Sequence, residues 1–364
     1  MIDARAILAA AVTVTAAIAA AILFEYLRLP LPWMLGPLLV TAAASFLKVK
    51  ILGFNAGLPA KSRTIFVPIV GLMIGSSISG DFASELARWW PSLLLVAPYA
   101  CLVQIVNAAI LRRVGGYDPA TAFFAASPGG LVEAVLIGEQ NGGKASLMTI
   151  QHFARVSLSV SVIPILLSFY YGEPVGSAAG IVADSGGPPL TVQDAALLAA
   201  AGILGVFLGR RLRLPAAIMV GPFLLSAVLH GTGVTAAQIP QELLKMAQLV
   251  IGITIGMRFA GPSRTELARG LGLSVLTLST TLAVAFLMAL LVSGLGMAAT
   301  VAGFIAFAPG GLVEMGLIAI SIGADPVFVA THHVLRIGFA VTLAPLLFHA
   351  LYGRAKKNAR QPDE

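Results

Sequence analysis

Residues 127–134 read SPGGLVEA, and residues 308–315 read APGGLVEM. Each copy sets a Pro-Gly-Gly break three residues ahead of a carboxylate, in a chain that is 58% hydrophobic and only 11% charged. Soluble domains carry about 25% charged residues, so this chain cannot cover a core of its own size with charge, and lipid must replace the polar coat. Apolar runs long enough to cross a bilayer recur from end to end, and mean hydropathy is +0.93. The fold class is therefore an all-α polytopic membrane protein. A net charge of +7 would suit nucleic acid, but the cations fall in short loops between apolar runs, as the positive-inside rule requires. The single cysteine, Cys101, lies within an apolar run, which excludes a disulfide frame and a cysteine metal site. The opening stretch is long enough to span and has a weak basic start, so it reads as a first helix and not a cleaved signal.

The two Pro-Gly-Gly stretches are offset by 308 minus 127, or 181, and the same offset pairs Gly71 with Gly252, Gly75 with Gly256, His152 with His333, Arg155 with Arg336 and Pro164 with Pro345. Upstream, LRLP at 27–30 and 212–215 and the Gly36-Pro37 and Gly221-Pro222 pairs are offset by 185. The chain is thus an internal duplication. A first membrane repeat covers 1–171, a polar Gly/Pro-rich linker 172–193, a second repeat 194–352, and a basic tail 353–364.

Six apolar segments appear in each repeat, near 5–26, 31–47, 64–80, 89–111, 119–138 and 145–170, then 194–209, 215–229, 242–260, 270–294, 297–321 and 326–352. The tail cations Arg354, Lys356, Lys357 and Arg360 put the C-terminus in the cytoplasm. Loops bearing Arg210, Arg211 and Arg213, or Arg258, Arg264 and Arg269, are cytoplasmic too. Those at 230–241, 293–297 and 321–326 lack Lys and Arg and read as external, so external loops flank APGGLVEM on both sides. Cytoplasmic loops, marked by Arg112 with Arg113 and by Lys144, flank SPGGLVEA. Each Pro-Gly-Gly segment then enters and leaves on one side, leaving about five transmembrane helices per repeat. An odd number inverts the second repeat and places the linker outside. Arg28 and Arg88 fit this scheme least well, each accompanied by an acid. Two kinked helices in a twelve-span protein of parallel repeats is the competing reading. Inverted repeats with broken helices at their interface are the architecture of secondary transporters.

The candidate substrate-binding residues are Pro128, Gly129, Gly130, Glu133, His152 and Arg155 in the first repeat and Pro309, Gly310, Gly311, Glu314, His333 and Arg336 in the second. An ionised group at the bilayer centre costs at least about 2.5–3.5 kcal/mol on insertion scales, so a carboxylate placed there twice is a functional candidate. The bland reading of Glu133 and Glu314 is a cap on their own helix starts. His152 and Arg155 stand at i and i+3 on one helix face, as do His333 and Arg336. Each Arg can pair with the Glu of its own hairpin, or the two can share an anionic substrate, since guanidinium suits carboxylate and phosphate. The histidines could titrate near neutral pH. No metal site is expected, because no ligand spacing is present. GLMIG at 71–75 and GITIG at 252–256 are expected to allow close helix packing, with site lining by Ser76, Ser77 and Thr254 as the lesser reading.

The duplicated PGGLVE, the LPWMLGPLL at 31–39 with its partner LPAAIMVGPFLL, and the late His-x-x-Arg resemble the bacterial AbrB-type membrane proteins, also labelled ammonia monooxygenases. The resemblance covers about 1–352. It implies an inner-membrane protein, grouped loosely with secondary transporters, with one member linked by name to regulation of gene expression. The monooxygenase label gains nothing here, for copper or iron oxygen chemistry needs a His or His/carboxylate cluster that the sequence lacks. The small soluble DNA-binding regulators of the same name are not similar.

The expectation is a non-enzymatic secondary transporter of a small anionic or amphoteric solute, coupled to H+ or Na+ and working by alternating access. A membrane sensor that influences gene expression without transport is the alternative. Its partners would be the solute, a coupling ion and the lipid bilayer, with no nucleic acid and no cofactor. A homodimer is compatible.

Overall fold

A computed structural model describes residues 4–59, 61–78, 82–172, 174–175, 190–260 and 263–358. The side chains of 82–83, 132–133 and 353–358 are outside the described set, as is most of the 172–193 linker. The first repeat contributes α1 (Ala4–Tyr26), α2 (Pro32–Phe46), α3 (Ser62–Ser76), α4 (Phe82–Arg113), α5 (Pro119–Ala125), α6 (Leu131–Gln140) and α7 (Ala145–Tyr171). The second contributes α8 (Val192–Arg211), α9 (Ala217–Gly231), α10 (Gln241–Gly256) with a 3₁₀ turn at Met257–Ala260, α11 (Arg264–Gly294), α12 (Thr300–Phe307), α13 (Leu312–Ser321) and α14 (Pro326–Asn358). The protein is an all-α polytopic membrane protein. Among the described residues, seven helices are long and apolar enough to cross a bilayer: α1, α4, α7, α8, α10 with its 3₁₀ turn, α11 and α14.

Both Pro-Gly-Gly segments are broken helices. Each apolar segment expected at 119–138 and 297–321 is two short helices separated at Pro128-Gly129-Gly130 or Pro309-Gly310-Gly311. In the first, the chain turns back on itself. Asp118 accepts from the Thr121 amide (2.8 Å) and hydroxyl (2.6 Å), and the Thr121 hydroxyl accepts from the Lys144 amide at 2.7 Å. The start of α5 and the residues after α6 therefore meet at one end, so the segment is a hairpin.

Helices α2, α3 and α9 are 15 residues each, a rise of about 22 Å, shorter than the hydrocarbon thickness of about 30 Å. The reason is local. Leu31 and Ala216, immediately before α2 and α9, are left-handed, with φ 43° and 48°, so neither helix can extend backwards through its Leu-Pro or Leu-Pro-Ala entry. A short antiparallel pair, β1 (Lys50–Ile51) and β2 (Phe54–Asn55), follows α2. Leu52 and Gly53 turn between them at φ 53° and 89°, the positive values that a tight two-residue hairpin needs. Hydropathy alone did not reveal this pair.

The duplication extends to backbone geometry. Arg28 and Arg213, 185 apart, are both left-handed, and the next amides reach back five residues, Leu29 N to Phe24 O (2.8 Å) and Leu214 N to Gly209 O (2.9 Å). Both are Schellman-type helix ends.

The chain forms two compact units. Each takes helices from both repeats, so the units cut across the duplication. The first comprises 1–88, 159–262 and 312–331, the second 89–158, 263–311 and 332–364. Within the first unit the glycine pairs expected to pack closely do so, and reciprocally. A Cβ on Gly75 would lie 2.6 Å from the Phe223 carbonyl of α9, and one on Gly256 2.6 Å from the Leu38 carbonyl of α2. One turn earlier, Gly71 abuts the Met219 carbonyl and Gly252 the Met34 carbonyl. Helix α3 of the first repeat thus packs on α9 of the second, and α10 of the second on α2 of the first. The same contact is made twice, as a two-fold relation between repeats demands. The Ser226 hydroxyl adds a bond to the Leu72 carbonyl at 2.8 Å across α9 and α3.

Candidate functional site

In the second unit, proline chemistry explains the His-x-x-Arg motif. A helix carbonyl normally accepts from the amide four residues on, but proline has no N–H. Pro128 therefore leaves the Phe124 carbonyl without its i+4 donor, and Pro309 does the same to Ile305. The His152 Nε2 reaches the Phe124 carbonyl at 3.1 Å, and the His333 Nε2 reaches the Ile305 carbonyl at 3.0 Å. Each imidazole supplies the hydrogen bond that its proline removed.

The arginines cap the carbonyls further along each break. Arg155 donates from Nη2 to the Ser127 carbonyl (2.7 Å) and from Nη1 to that of Ala126 (3.4 Å). Arg336 donates from Nη1 to the Ala308 carbonyl (2.6 Å) and from Nη2 to that of Gly310 (2.8 Å). These are carbonyls at the broken ends of α5 and α12, where helix dipoles present negative charge. Each Arg Nη2 also contacts its histidine's Nδ1, at 2.8 Å and 2.9 Å. Guanidinium only donates, so Nδ1 accepts and Nε2 carries the proton. Protonating Nδ1 would set two donors against each other. The arrangement holds a neutral ring, which assigns the histidines a positioning task in place of the titration near neutral pH that the sequence suggested.

Arg155 and Arg336 are 8% and 1% exposed, and they are close enough to repel one another. Tyr99 lies in the field of both, and its hydroxyl donates to the Phe307 carbonyl at the end of α12. Among the described side chains of this unit, the buried ionic groups are these two arginines and no carboxylate. The Arg336 Nε is buried with no hydrogen-bond partner among the described residues. Gly129 packs its Cα against Ile337 of α14, where a Cβ would come within 3.3 Å of backbone. Gly130, left-handed at φ 64°, starts α6 without a side-chain cap.

The carboxylates divide. The side chain of Glu133 is outside the described residues. Glu314, 2% exposed in the first unit and in the first turn of α13, accepts from Arg63 Nη2 at 2.8 Å, and Arg258 interacts electrostatically with both. Arg258 reads in the sequence only as a loop cation, and nothing in the spacing of Arg63 marks it as the partner of a carboxylate 251 positions away. Tyr99 was likewise hidden in an apolar run. At the loop end before α14, the Asp325 carboxylate accepts from the Val327 and Phe328 amides, both at 3.0 Å. Burial pushes that carboxyl above its ordinary range, against those bonds and the Arg88 charge. Among the described residues no His, Cys, Asp and Glu group could hold a metal ion.

A family model described as Transition state regulatory protein AbrB matches residues 46–352. The chain belongs to the AbrB family. The resemblance carried by the duplicated PGGLVE is therefore a family relation. Within the AbrB family, the chain is 26% identical over 343 residues to a Bacillus subtilis (strain 168) protein named "Uncharacterized protein YhjN", covering 89% of each. It is 24% identical over 336 residues to the Escherichia coli (strain K12) protein named "Putative regulator AbrB", covering 92% of this chain and 94% of that one.

Proposed function

We propose that this AbrB-family protein is a non-enzymatic secondary transporter of the bacterial inner membrane, moving a small anionic or amphoteric solute by alternating access with H+ or Na+ coupling. The observation that carries the reading is the pair of buried, mutually repelling guanidinium groups at the broken ends of α5 and α12. Capping occupies their Nη groups and leaves the Arg336 Nε with no hydrogen-bond partner among the described residues. A carboxylate or phosphate reaching that Nε would offset part of the cost of burying the Arg336 charge.

Inverted repeats are part of the proposal. Reciprocal packing of α3 on α9 and α10 on α2 supports a two-fold relation between repeats, and the loop charges support its axis lying in the membrane plane. Single cysteines at Ser185 and Lys357 should be labelled from opposite faces of sealed vesicles. Labelling of both from one face would exclude inversion. The name of the E. coli relative favours a second reading, a sensor that acts on gene expression without moving its ligand. Proteoliposomes separate the two: a transporter accumulates an anion when a proton or sodium gradient is imposed, whereas a sensor binds it without accumulation.

A further inference from the structure

Within the first unit, His230 at the end of α9 is held between two backbone carbonyls. Its Nδ1 lies 2.8 Å from the Ser226 carbonyl, one turn back on the same helix, and its Nε2 lies 3.2 Å from the Ala237 carbonyl, in the loop that leads to α10. A carbonyl only accepts, so each ring nitrogen makes its bond only when it carries a proton. The Ser226 hydroxyl is 3.3 Å from Nδ1, but its one proton goes to the Leu72 carbonyl of α3 at 2.8 Å. His152 and His333 each meet a donor at Nδ1 and are held neutral; His230 meets acceptors on both sides. Two bonds need two ring protons, and a ring with both is an imidazolium. The side chain is half-buried, so water can supply and remove the proton. The helices packed on α9 are α3 and α8. Helix α8 carries Asp194 in its first turn, whose charge acts on His230 and which accepts from the Thr235 hydroxyl of the same loop at 2.7 Å; its Arg210 and Arg211 stand in the last turn. Helix α3 has Arg63 as its charged residue, in its first turn, whereas Leu72 lies toward its end. Residues 232–240 include no charge, and α10 opens with Glu242 and Lys245, the latter paired with Glu25 at 3.8 Å.

We infer that His230 is a proton-binding site whose occupancy sets the grip of α9 on α3 and on the 232–240 loop. With the proton bound, the ring ties the Ala237 carbonyl to the end of α9 and leaves the Ser226 hydroxyl to serve α3. If the proton leaves Nδ1 for water, the bare nitrogen faces the Ser226 carbonyl, and the hydroxyl turns from Leu72 to fill the gap. If it leaves Nε2, the tie to Ala237 is lost. In each case one bond between α9 and a neighbouring segment goes with the proton. Helices α3 and α9 are one of the two reciprocal glycine contacts between the repeats, so the proton acts where the repeats meet. The inference is independent of the transport reading, since a carrier and a sensor could each use it.

The test is the pH dependence of thermal unfolding of the full chain, purified in detergent, for the wild type and His230→Gln. A proton bound more tightly by the folded than by the unfolded chain stabilises at low pH, and that stability is lost as pH rises. Between about pH 6 and about pH 8, where histidine changes charge, the wild-type melting temperature is therefore expected to fall by about 3 °C more than that of His230→Gln, the loss of one charge-assisted bond. Ser226→Ala keeps the ring but removes the hydroxyl that serves the bare nitrogen, so its fall should be displaced to higher pH than in the wild type; this variant supplies the comparison if His230→Gln yields too little folded protein. The same pH profile in the wild type and His230→Gln or, in its place, an undisplaced profile in Ser226→Ala would overturn the proton site and leave His230 as a neutral cap on the end of α9.

Discussion

Removing Arg336 should open the broken end of α12, and the cost follows from its bonds. The guanidinium serves three acceptors, two buried and the Gly310 carbonyl part-buried: the Ala308 carbonyl at 2.6 Å, the Gly310 carbonyl at 2.8 Å and the His333 Nδ1 at 2.9 Å. A buried acceptor left without its donor costs about 1–3 kcal/mol, so Arg336→Leu strands two buried groups worth about 2–6 kcal/mol together. Relief from burying a guanidinium 1% exposed offsets part of this, since each buried ion carries a desolvation penalty of several kcal/mol. We expect a net loss near the lower end, about 3 kcal/mol, and a fall in melting temperature of about 6–12 °C at 2–4 °C per kcal/mol. Arg336→Lys should lose less, because an ammonium still donates but cannot span the same fork. Arg155 donates to the same three kinds of acceptor at 2.7, 2.8 and a longer 3.4 Å, so Arg155→Leu should lower the melting temperature as well. The assay is thermal unfolding of the detergent-purified protein followed by size-exclusion recovery. A fully stable Arg336→Leu variant would refute the capping argument.

Gly256→Ala sets a Cβ 2.6 Å from the Leu38 carbonyl, forcing α10 and α2 apart by about 0.8 Å, and should cost about 1–3 kcal/mol as overpacking does; Gly272→Ala, with nothing within 4 Å of the added carbon, should be neutral or stabilise by up to about 1 kcal/mol. Equal melting temperatures for these two would contradict the packing account. Asp118→Ala removes both bonds to Thr121 that close the first hairpin at its base, so protease cleavage near Lys144 should accelerate, whereas Asp118→Asn should restore most of the protection. Asp325 has its carboxyl raised by burial, so the folded state favours the protonated form: stability falls as pH rises from the unfolded value toward the raised one. Asp325→Asn, which keeps an acceptor for Val327 and Phe328, should therefore melt at or above the wild-type temperature at pH 7 and lose that advantage at about pH 3.5, below the ordinary carboxylate value; an advantage that grows on acidification would contradict the sign.

Much of the fold was legible because a bilayer restricts what an apolar chain can do. The ends of α1 and α7 fall within a residue of the hydropathy segments, and the Pro-Gly-Gly breaks fall where helix chemistry puts them. Gly71, Gly75, Gly252 and Gly256 announced close packing, but not which helices would meet, since that depends on a two-fold relation no local pattern encodes. At the site, the His and Arg positions were visible and their task was not. That His152 serves the carbonyl four residues before Pro128 could have been suspected from proline's missing N–H, yet only the fold brings the two segments together. The Arg63 partnership with Glu314 is a long-range contact between residues whose local surroundings say only loop and helix start.

The central claim, an anion carrier built on Arg155 and Arg336, is tested most directly by metabolite profiling of cells that lack the protein, carry it intact, or carry the Arg155→Lys and Arg336→Lys variants at matched membrane levels. The account predicts at least one small carboxylate or phosphate whose distribution across the membrane depends on the intact protein, is disturbed by both variants, and is accumulated by proteoliposomes under an ion gradient. Identical solute profiles in all four strains, with any effect on gene expression persisting in the variants, would contradict it.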